Sequence, residues 1–376
     1  MGVAEKEVFH IVTNNKMIVI NNLWISKQER RKYNMKTIIK NVDNLLTNND
    51  SYTQAVDLLT KGEVVAFPTE TVYGLGAIAT NEEAVAKIFE AKGRPQDNPL
   101  IVHIGSKEEM MAFTQDIPKL AEVCMDAFWP GPLTLILPLR PNTLAKNVTA
   151  GLQTVGVRMP EHKVALELLK QLKQPVAAPS ANKSGKPSPT KAVHVHHDLE
   201  GKIPLILDGG TTGIGLESTV IEFVNDLPTI LRPGGVTKEM LEKVIGQVGE
   251  AQPTDEKEAP RAPGMKYAHY APDSPVYLIE ASLVKLKEAV EKIHNEQKKV
   301  AIIASESYRH INVDYFFSLG KEDQLSDAAH LLYQALRDCD ETDADIILVP
   351  VLSKAGVGTA IMNRLEKAAD GKWFYS

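Results

Sequence analysis

FPTETVYGLGAIATNEEAVAKIFEAKGRPQDNPLIVHI, residues 67–104, is the stretch whose reading decides the fold. A Thr- and Gly-rich turn leads into a helical pattern over Glu82–Lys92, which puts Val85, Ile88 and Phe89 on one face and Gly93 where a helix ends. A short apolar strand follows over Leu100–Ile104. Lys92 and Arg94 flank the glycine, so both can swing towards one anionic ligand. Arginine offers a rigid fork suited to phosphate or carboxylate, and lysine a compact point charge. Cations at a helix C-terminus also complement the macrodipole, so these two residues alone fit a solvated helix end equally well.

Outward from this stretch, apolar runs alternate with helical patterns from Lys36 to about Gly246. Strands are predicted at Val64–Phe67, Leu100–Ile104, Leu133–Leu137, Val155–Arg158, Val176–Ala178, Leu205–Leu207 and Thr219–Val224, each short and bounded by Pro, Gly or Asn. Helices are predicted at Glu82–Lys92, Pro118–Phe128, Val164–Gln171 and Thr237–Ile245. Residues 247–273 change character to Pro, charge and small residues, which reads as a linker. Met265, Tyr267, His269 and Tyr270 interrupt it, and a plain spacer needs no such cluster. Beyond it a βα rhythm over Val276–Ala369 predicts a second, smaller α/β domain with a parallel sheet.

Three polar clusters accompany the Lys92–Arg94 pair. Val176–Thr190, VAAPSANKSGKPSPT, leaves a strand of small residues and supplies Ser180, Asn182, Ser184 and Ser188 as short donors for phosphate or ribose oxygens. Such Asn/Ser/Pro runs also make ordinary turns. Thr154, Gly156 and Arg158 share one strand face by period-two alternation, and an arginine there needs an internal carboxylate or a ligand anion. Leu207–Thr219 is a glycine loop entering a strand, and Arg232-Pro-Gly-Gly follows. Together these place cations and hydroxyls at strand ends, where open α/β sheets bind ligands. Gly74–Ala79 fits a loose G-x-G-x-x-A pattern, but six residues separate it from the strand that should feed it, which disfavours a dinucleotide turn. There is no Walker motif and no nucleophile elbow. His194, His196 and His197 lack the partners a metal site needs, so no metal-ligating set is predicted.

These blocks resemble the YrdC-type family, in its long two-domain form of threonylcarbamoyl-AMP synthases. The resemblance rests on PTETVYGLG at Pro68–Gly76, KGRPxxNPL at Lys92–Leu100, R-M-P from Arg158, SAN at Ser180–Asn182, ESTV at Glu217–Val220, LRPGG at Leu231–Gly235 and PGMKYAHYAP at Pro263–Pro272. It implies a YrdC-like α/β domain over 35–247, a twisted open mixed sheet with helices around a basic cavity. A linker or lid over 248–273 and a smaller Rossmann-like C-terminal α/β domain over 274–376 would follow, with 1–34 an extension outside the pattern. It further implies condensation of L-threonine, bicarbonate or carbon dioxide and ATP, with Mg²⁺ on the triphosphate. The product would pass to a tRNA threonylcarbamoyl-transferase complex, with room for a weak RNA contact. Lys92 and Arg94 would carry the chemistry, joined on ATP by Asn98, Thr154, Ser180, Asn182, Ser188, Arg232 and His269. Thr71, His103, Arg158, Ala178 and Ser218 would hold threonine.

Bulk properties bound the alternatives. The chain has 376 residues, 43% hydrophobic and 24% charged, with net charge −6, which suits two globular domains and disfavours a general nucleic-acid coat. Two cysteines, Cys124 and Cys339, make neither a disulfide framework nor a metal pair. No apolar run reaches membrane-spanning length and no signal core is present, so a cytoplasmic enzyme is expected. Two rival readings are a carbamoyl-adenylate-handling transferase and a non-enzymatic RNA-binding module. The first wants zinc-finger cysteines this chain lacks, and the second wants a basic balance.

Overall fold

The computed structural model describes residues 9–13, 16–20, 35–42, 49–224, 227–251, 260–261 and 270–375. Strands β1 (Phe9–Thr13) and β2 (Lys16–Ile20) pair antiparallel as a separate hairpin. The large sheet draws on β3 (Ile38–Asn41), β4 (Val65–Phe67), β5 (Gly74–Ile78), β6 (Ile101–His103), β7 (Leu133–Pro138), β8 (Thr154–Arg158), β9 (Val176–Ala177), β10 (Leu205–Asp208), β11 (Thr219–Val224), β12 (Leu227–Arg232) and β13 (Gly249–Glu250). Their order is β13-β12-β11-β7-β8-β6-β9-β5-β4-β10-β3, a mixed sheet of 11 strands. Interleaved helices are α1 (Asn49–Thr60), α2 (Glu82–Lys92), α3 (Lys119–Phe128), α4 (Lys146–Thr149), α5 (Lys163–Leu172), α6 (Ala192–Leu199) and α7 (Lys238–Ile245).

Strand alternation sorts the side chains of this sheet. Ala66 packs into a core with Val85, Ile88 and Phe89 of α2, whereas its neighbours Val65 and Phe67 pack with Tyr52 and Leu59 of α1 and Leu168 of α5. Helix α2 ends, as the sequence predicts, at Gly93 in the left-handed region, and it begins where the Asn81 side chain accepts from the Ala84 amide.

Gly74–Ile78 is the main departure. Its glycines read as a turn, yet it forms β5, antiparallel to both β4 and β9. The glycine is needed for close approach, since a Cβ on Gly76 would lie 2.7 Å from side-chain atoms of Phe67 and of Val176. Strands β3, β12 and β13 and helix α1 also lie outside the predicted elements.

The second sheet is parallel throughout, in the order β14 (Val276–Ile279), β17 (Ile346–Pro350), β15 (Val300–Ala304), β16 (Tyr315–Ser318). One face meets α8 (Leu283–Asn295), through Leu286, Val290 and Ile293. The other meets α9 (Leu325–Asp340) and α10 (Gly358–Ala368), and this core also takes in Val72 and Leu216 from the first domain.

Substituting Gly76→Ala forces a methyl into this packed contact and should cost about 1–3 kcal/mol. Urea denaturation should show a lower midpoint with an unchanged slope; an unaltered midpoint would refute the close-packing argument.

Candidate active site

The middle of the large sheet presents two unlike faces. In β6 and β8, Val102, Val155 and Val157 enter the apolar core, while Ile101, His103 and Arg158 turn the other way. His103 and Arg158 are paired across the parallel ladder, so they stand side by side on that face. There they floor a cavity of about 740 Å³, counting its open mouth. The cavity lies where β6, β8, β9 and β12 end and β11 begins, the strand ends at which the sequence places its cations and hydroxyls. Its walls are the Thr69–Val72 turn, the Ala178–Ser188 turn, Glu217 and Ser218, with Lys92, Arg94, Arg232 and Tyr270 closing the rim.

Lys92 is not free to swing. Its ammonium is buried and donates to the carbonyl of Ser180, to the carbonyl of Asn182 at 2.6 Å and to Asn182 Oδ1 at 3.3 Å. It is a strut between the end of α2 and the SAN turn, and Ser180 Oγ donates to the same Asn182 Oδ1 at 2.6 Å. Burial, then the Arg94 guanidinium, pulls the Lys92 ammonium well below its ordinary value. Arg94 is half-buried, and its Nη2 donates to the carbonyls of Asn98 and Pro99 at 3.3 and 3.2 Å.

Arg158 has found an internal carboxylate. Its Nη2 is 2.7 Å from Glu70 Oε1, and its Nη1 donates to Thr71 Oγ1 at 2.9 Å. The Glu70 contact is a charge contact without hydrogen-bond alignment, so Nη2 keeps an unfilled donor direction. Beside it, His103 is held neutral: burial first, then the Arg158 charge, lowers its imidazolium to about 3. His103 Nδ1 is buried without a hydrogen-bond partner. Ser218 Oγ meets Thr134 Oγ1 at 2.8 Å, and Arg232 Nη2 donates to the Ser218 carbonyl at 3.0 Å. Burial pushes the Glu217 carboxyl up, but the Arg364 and Arg232 guanidiniums and the Ser188 hydroxyl outweigh it and hold it at about 2.

Of the residues expected on the threonine side, Thr71, His103, Arg158, Ala178 and Ser218 all line the cavity. On the ATP side, Lys92, Arg94, Ser180, Asn182, Ser188 and Arg232 do so. Asn98 does not; it is 1% exposed behind the wall, with neither amide atom hydrogen-bonded. Thr154 does not either, because it opens β8, four residues and about 13 Å before Arg158. His269, Met265 and Tyr267 lie outside the described residues. Sequence reasoning missed Glu70 as the partner of Arg158 and Glu217 as a wall of the cavity. Alternation around Arg158 says that a partner is needed but not which one. Among the described residues no three His, Cys, Asp or Glu side chains gather as a metal site.

Two families match in tandem: Sua5/YciO/YrdC, described as telomere recombination, over residues 57–234, and the threonylcarbamoyl-AMP synthase C-terminal domain over residues 236–370. The Bacillus subtilis threonylcarbamoyl-AMP synthase is 51% identical over 332 residues, 88% of this chain and 96% of the relative. This chain belongs to the threonylcarbamoyl-AMP synthase family. A second member, from Pyrococcus abyssi, is 49% identical over 84% of this chain and 93% of its own. The crystal structure of P. abyssi Sua5 complexed with L-threonine matches with a TM-score of 0.85 at 46% identity, covering 90% of this chain and 99% of that one. The large mixed sheet and the smaller α/β sheet are thus the two-domain architecture of this synthase family.

His103 makes the synthase fold sensitive to acid. It is neutral when folded, whereas the unfolded chain takes up a proton below about 6.5. Its contribution is complete above that value and is lost as pH falls towards about 3. In His103→Gln the slope of unfolding free energy against pH between 6 and 4.5 should be shallower by about 1.4 kcal/mol per pH unit. Equal slopes in the two proteins would contradict a buried neutral imidazole.

Proposed function

We propose that this chain condenses L-threonine, bicarbonate or carbon dioxide and ATP into L-threonylcarbamoyl-AMP and pyrophosphate, the first step of threonylcarbamoyl-adenosine formation in tRNA. The observation that carries the reading is a cavity flanked by Lys92, Arg94, Arg158 and Arg232, in a chain 51% identical to a threonylcarbamoyl-AMP synthase. All three reactants bear carboxylate-like or phosphate charge, so the site's work is positioning and neutralisation rather than attack by a protein nucleophile.

The reaction balances without a covalent enzyme intermediate. The free amine of threonine attacks the carbon of bicarbonate or carbon dioxide and the C–N bond forms; with bicarbonate one oxygen leaves as water, and with carbon dioxide one C=O π bond opens and the amine proton passes to solvent. A carbamate oxygen then attacks the α-phosphorus, and the bond to the pyrophosphate oxygen breaks. Arg158 would hold the threonine carboxylate with its unfilled Nη2 direction, and Thr71, His103, Ala178 and Ser218 would shape the pocket around the side chain. Lys92 and Arg94 would sit against the phosphates at the reacting centre. Ser180, Asn182, Ser188 and Arg232 would hold the remainder of ATP, with Asn98 and Thr154 reached only beyond the described cavity.

Mg²⁺ would ride on the triphosphate. Glu217 is the one carboxylate lining the described cavity, and Ser188, Tyr333 and Arg364 occupy it, so phosphate and water would supply the metal's ligands. Residues 263–272 would act as a lid that keeps water from the labile adenylate. Tyr270 lines the cavity and the Ala271 amide donates to the Gly185 carbonyl at 3.0 Å, which supports that placement. The product would pass to a separate tRNA-modifying transferase. No helix among the described residues is long and apolar enough to cross a membrane.

Pyrophosphate release that requires both threonine and bicarbonate tests the reading. Arg94→Ala should lower kcat/KM for ATP by about ten- to a hundredfold, the worth of a charge-assisted contact. Arg158→Gln combined with Glu70→Gln, which leaves no buried charge unpaired, should raise the KM for threonine far more than that for ATP. Pyrophosphate release indifferent to threonine would overturn the function, and equal damage to both constants would overturn the role of Arg158.

A further inference from the structure

The turn that carries the expected ATP-side groups is held from behind by the second domain. Helix α9 presents Tyr333, Arg337 and Asp340 at spacings of four and three, hence on one face. Arg337 forms a two-pronged contact with Asp198, Nη1 to Oδ1 at 3.1 Å and Nη2 to Oδ2 at 2.8 Å, and also donates to the Pro187 carbonyl. Asp198 in turn accepts from the Lys183 amide at 3.2 Å. Asp340 accepts from Lys186 Nζ at 3.0 Å. The Tyr333 hydroxyl is 2.9 and 2.8 Å from the two Glu217 oxygens, and Glu217 Oε1 accepts from Ser188 Oγ at 2.6 Å.

Helix α10 adds Arg364, which is 0% exposed. Its Nε donates to Glu217 Oε2 at 2.9 Å and its Nη1 to the Pro233 carbonyl at 2.9 Å, next to Arg232. The contact between the domains is close: a Cβ on Gly215 would lie 2.6 Å from His330 Cα and 2.7 Å from the Ala329 carbonyl oxygen. None of Tyr333, Arg337, Asp340 and Arg364 reaches the cavity wall.

We propose that the second domain is the outer scaffold of the ATP subsite, with Tyr333, Arg337 and Arg364 as positioning residues that fix Ser188 and the 182–188 turn through Glu217 and Asp198. These residues touch no substrate. They act by removing the freedom of a turn rich in Gly, Ser and Pro, which without them would sample conformations that scatter its hydroxyl and amide donors. Buried Glu217 is shared between Ser188 on the site side and Tyr333 and Arg364 on the scaffold side, so loss of one scaffold partner loosens the hydroxyl that faces the cavity. The inference rests on the ATP reading of this wall and adds to it a specific duty for the second domain.

The test uses the full chain with Tyr333→Phe, which removes only a hydroxyl, and Arg337→Gln, paired with Asp198→Asn so that no lone charge remains. Thermal unfolding and near-UV circular dichroism check folding. Each folded variant should raise the KM for ATP, and the Kd for a non-hydrolysable ATP analogue measured by calorimetry, by about tenfold. The KM for threonine should stay within about twofold. The exchanged pair Arg337→Asp with Asp198→Arg should recover part of the lost ATP affinity, which a merely stabilising contact would not do. ATP constants within twofold of the parent in folded Tyr333→Phe and Arg337→Gln/Asp198→Asn would overturn the proposal, as would a parallel rise in both substrates' KM. Absence of threonine-dependent turnover in the parent would count against the function instead, and the calorimetric arm would still decide the scaffold.

Discussion

Four cations have been taken out of water, three lining the cavity and one behind its wall: Lys92, Arg158, Arg232 and Arg364 are 2, 4, 5 and 0% exposed. Burying an ion costs several kcal/mol unless partners replace its hydration, and the architecture supplies those partners one by one. Lys92 has carbonyls of the SAN turn, Arg158 has Glu70 and Thr71, Arg232 has the Ser218 carbonyl, and Arg364 has Glu217 and the Pro233 carbonyl. Only two of these partners, Glu70 and Glu217, are carboxylates, and Glu217 is shared between Arg364 and Arg232, so four buried cations face fewer buried anions. That imbalance is what an anionic substrate would complete, and it explains why burial depresses the Lys92 ammonium. A phosphate beside it would raise it again.

The hydrogen bonds of these cations also fix shape. Lys92 spends its donors on the backbone carbonyls and the amide oxygen of the turn that it faces, so it sets the geometry of that turn as well as the local field. Arg158 divides itself between Glu70, Thr71, the Gly131 carbonyl and an unfilled Nη2 direction, and it stands beside a histidine that its own charge helps keep neutral. A neutral imidazole can accept or donate a hydrogen bond at Nδ1 without adding a further positive charge to a crowded wall. The same economy recurs at Glu217, which serves Ser188 in the site and Tyr333 and Arg364 in the scaffold.

Helix α2, its Gly93 terminus and the βα alternation of the second domain were legible because each depends on neighbours a few residues away. So was the grouping of Lys92, Ser180, Asn182 and Arg158, since each belongs to a short motif with its own chemistry. Strand β5 was not legible: its glycines answer to Phe67 and Val176 on the neighbouring strands, and a turn and a tightly packed strand look alike in Gly-Leu-Gly-Ala-Ile. The partnership of Glu217 with Arg364 spans 147 residues and crosses between domains, and no local pattern announces it. The cavity's position at strand ends was legible, but not the neighbours across its floor. Alternation put Thr154, Gly156 and Arg158 on one face, but the pairing that stands His103 beside Arg158 is made between strands and leaves no local pattern.

The central claim is that this charged cavity joins three small reactants in one product. Incubating the protein with ATP, threonine and ¹³C-bicarbonate and analysing the mixture by mass spectrometry tests it most directly. The expected product is an adenylate whose mass includes threonine and one labelled carbon, formed together with pyrophosphate. An adenylate of threonine without the label, or ATP breakdown to unlinked products whether or not bicarbonate is present, would contradict it.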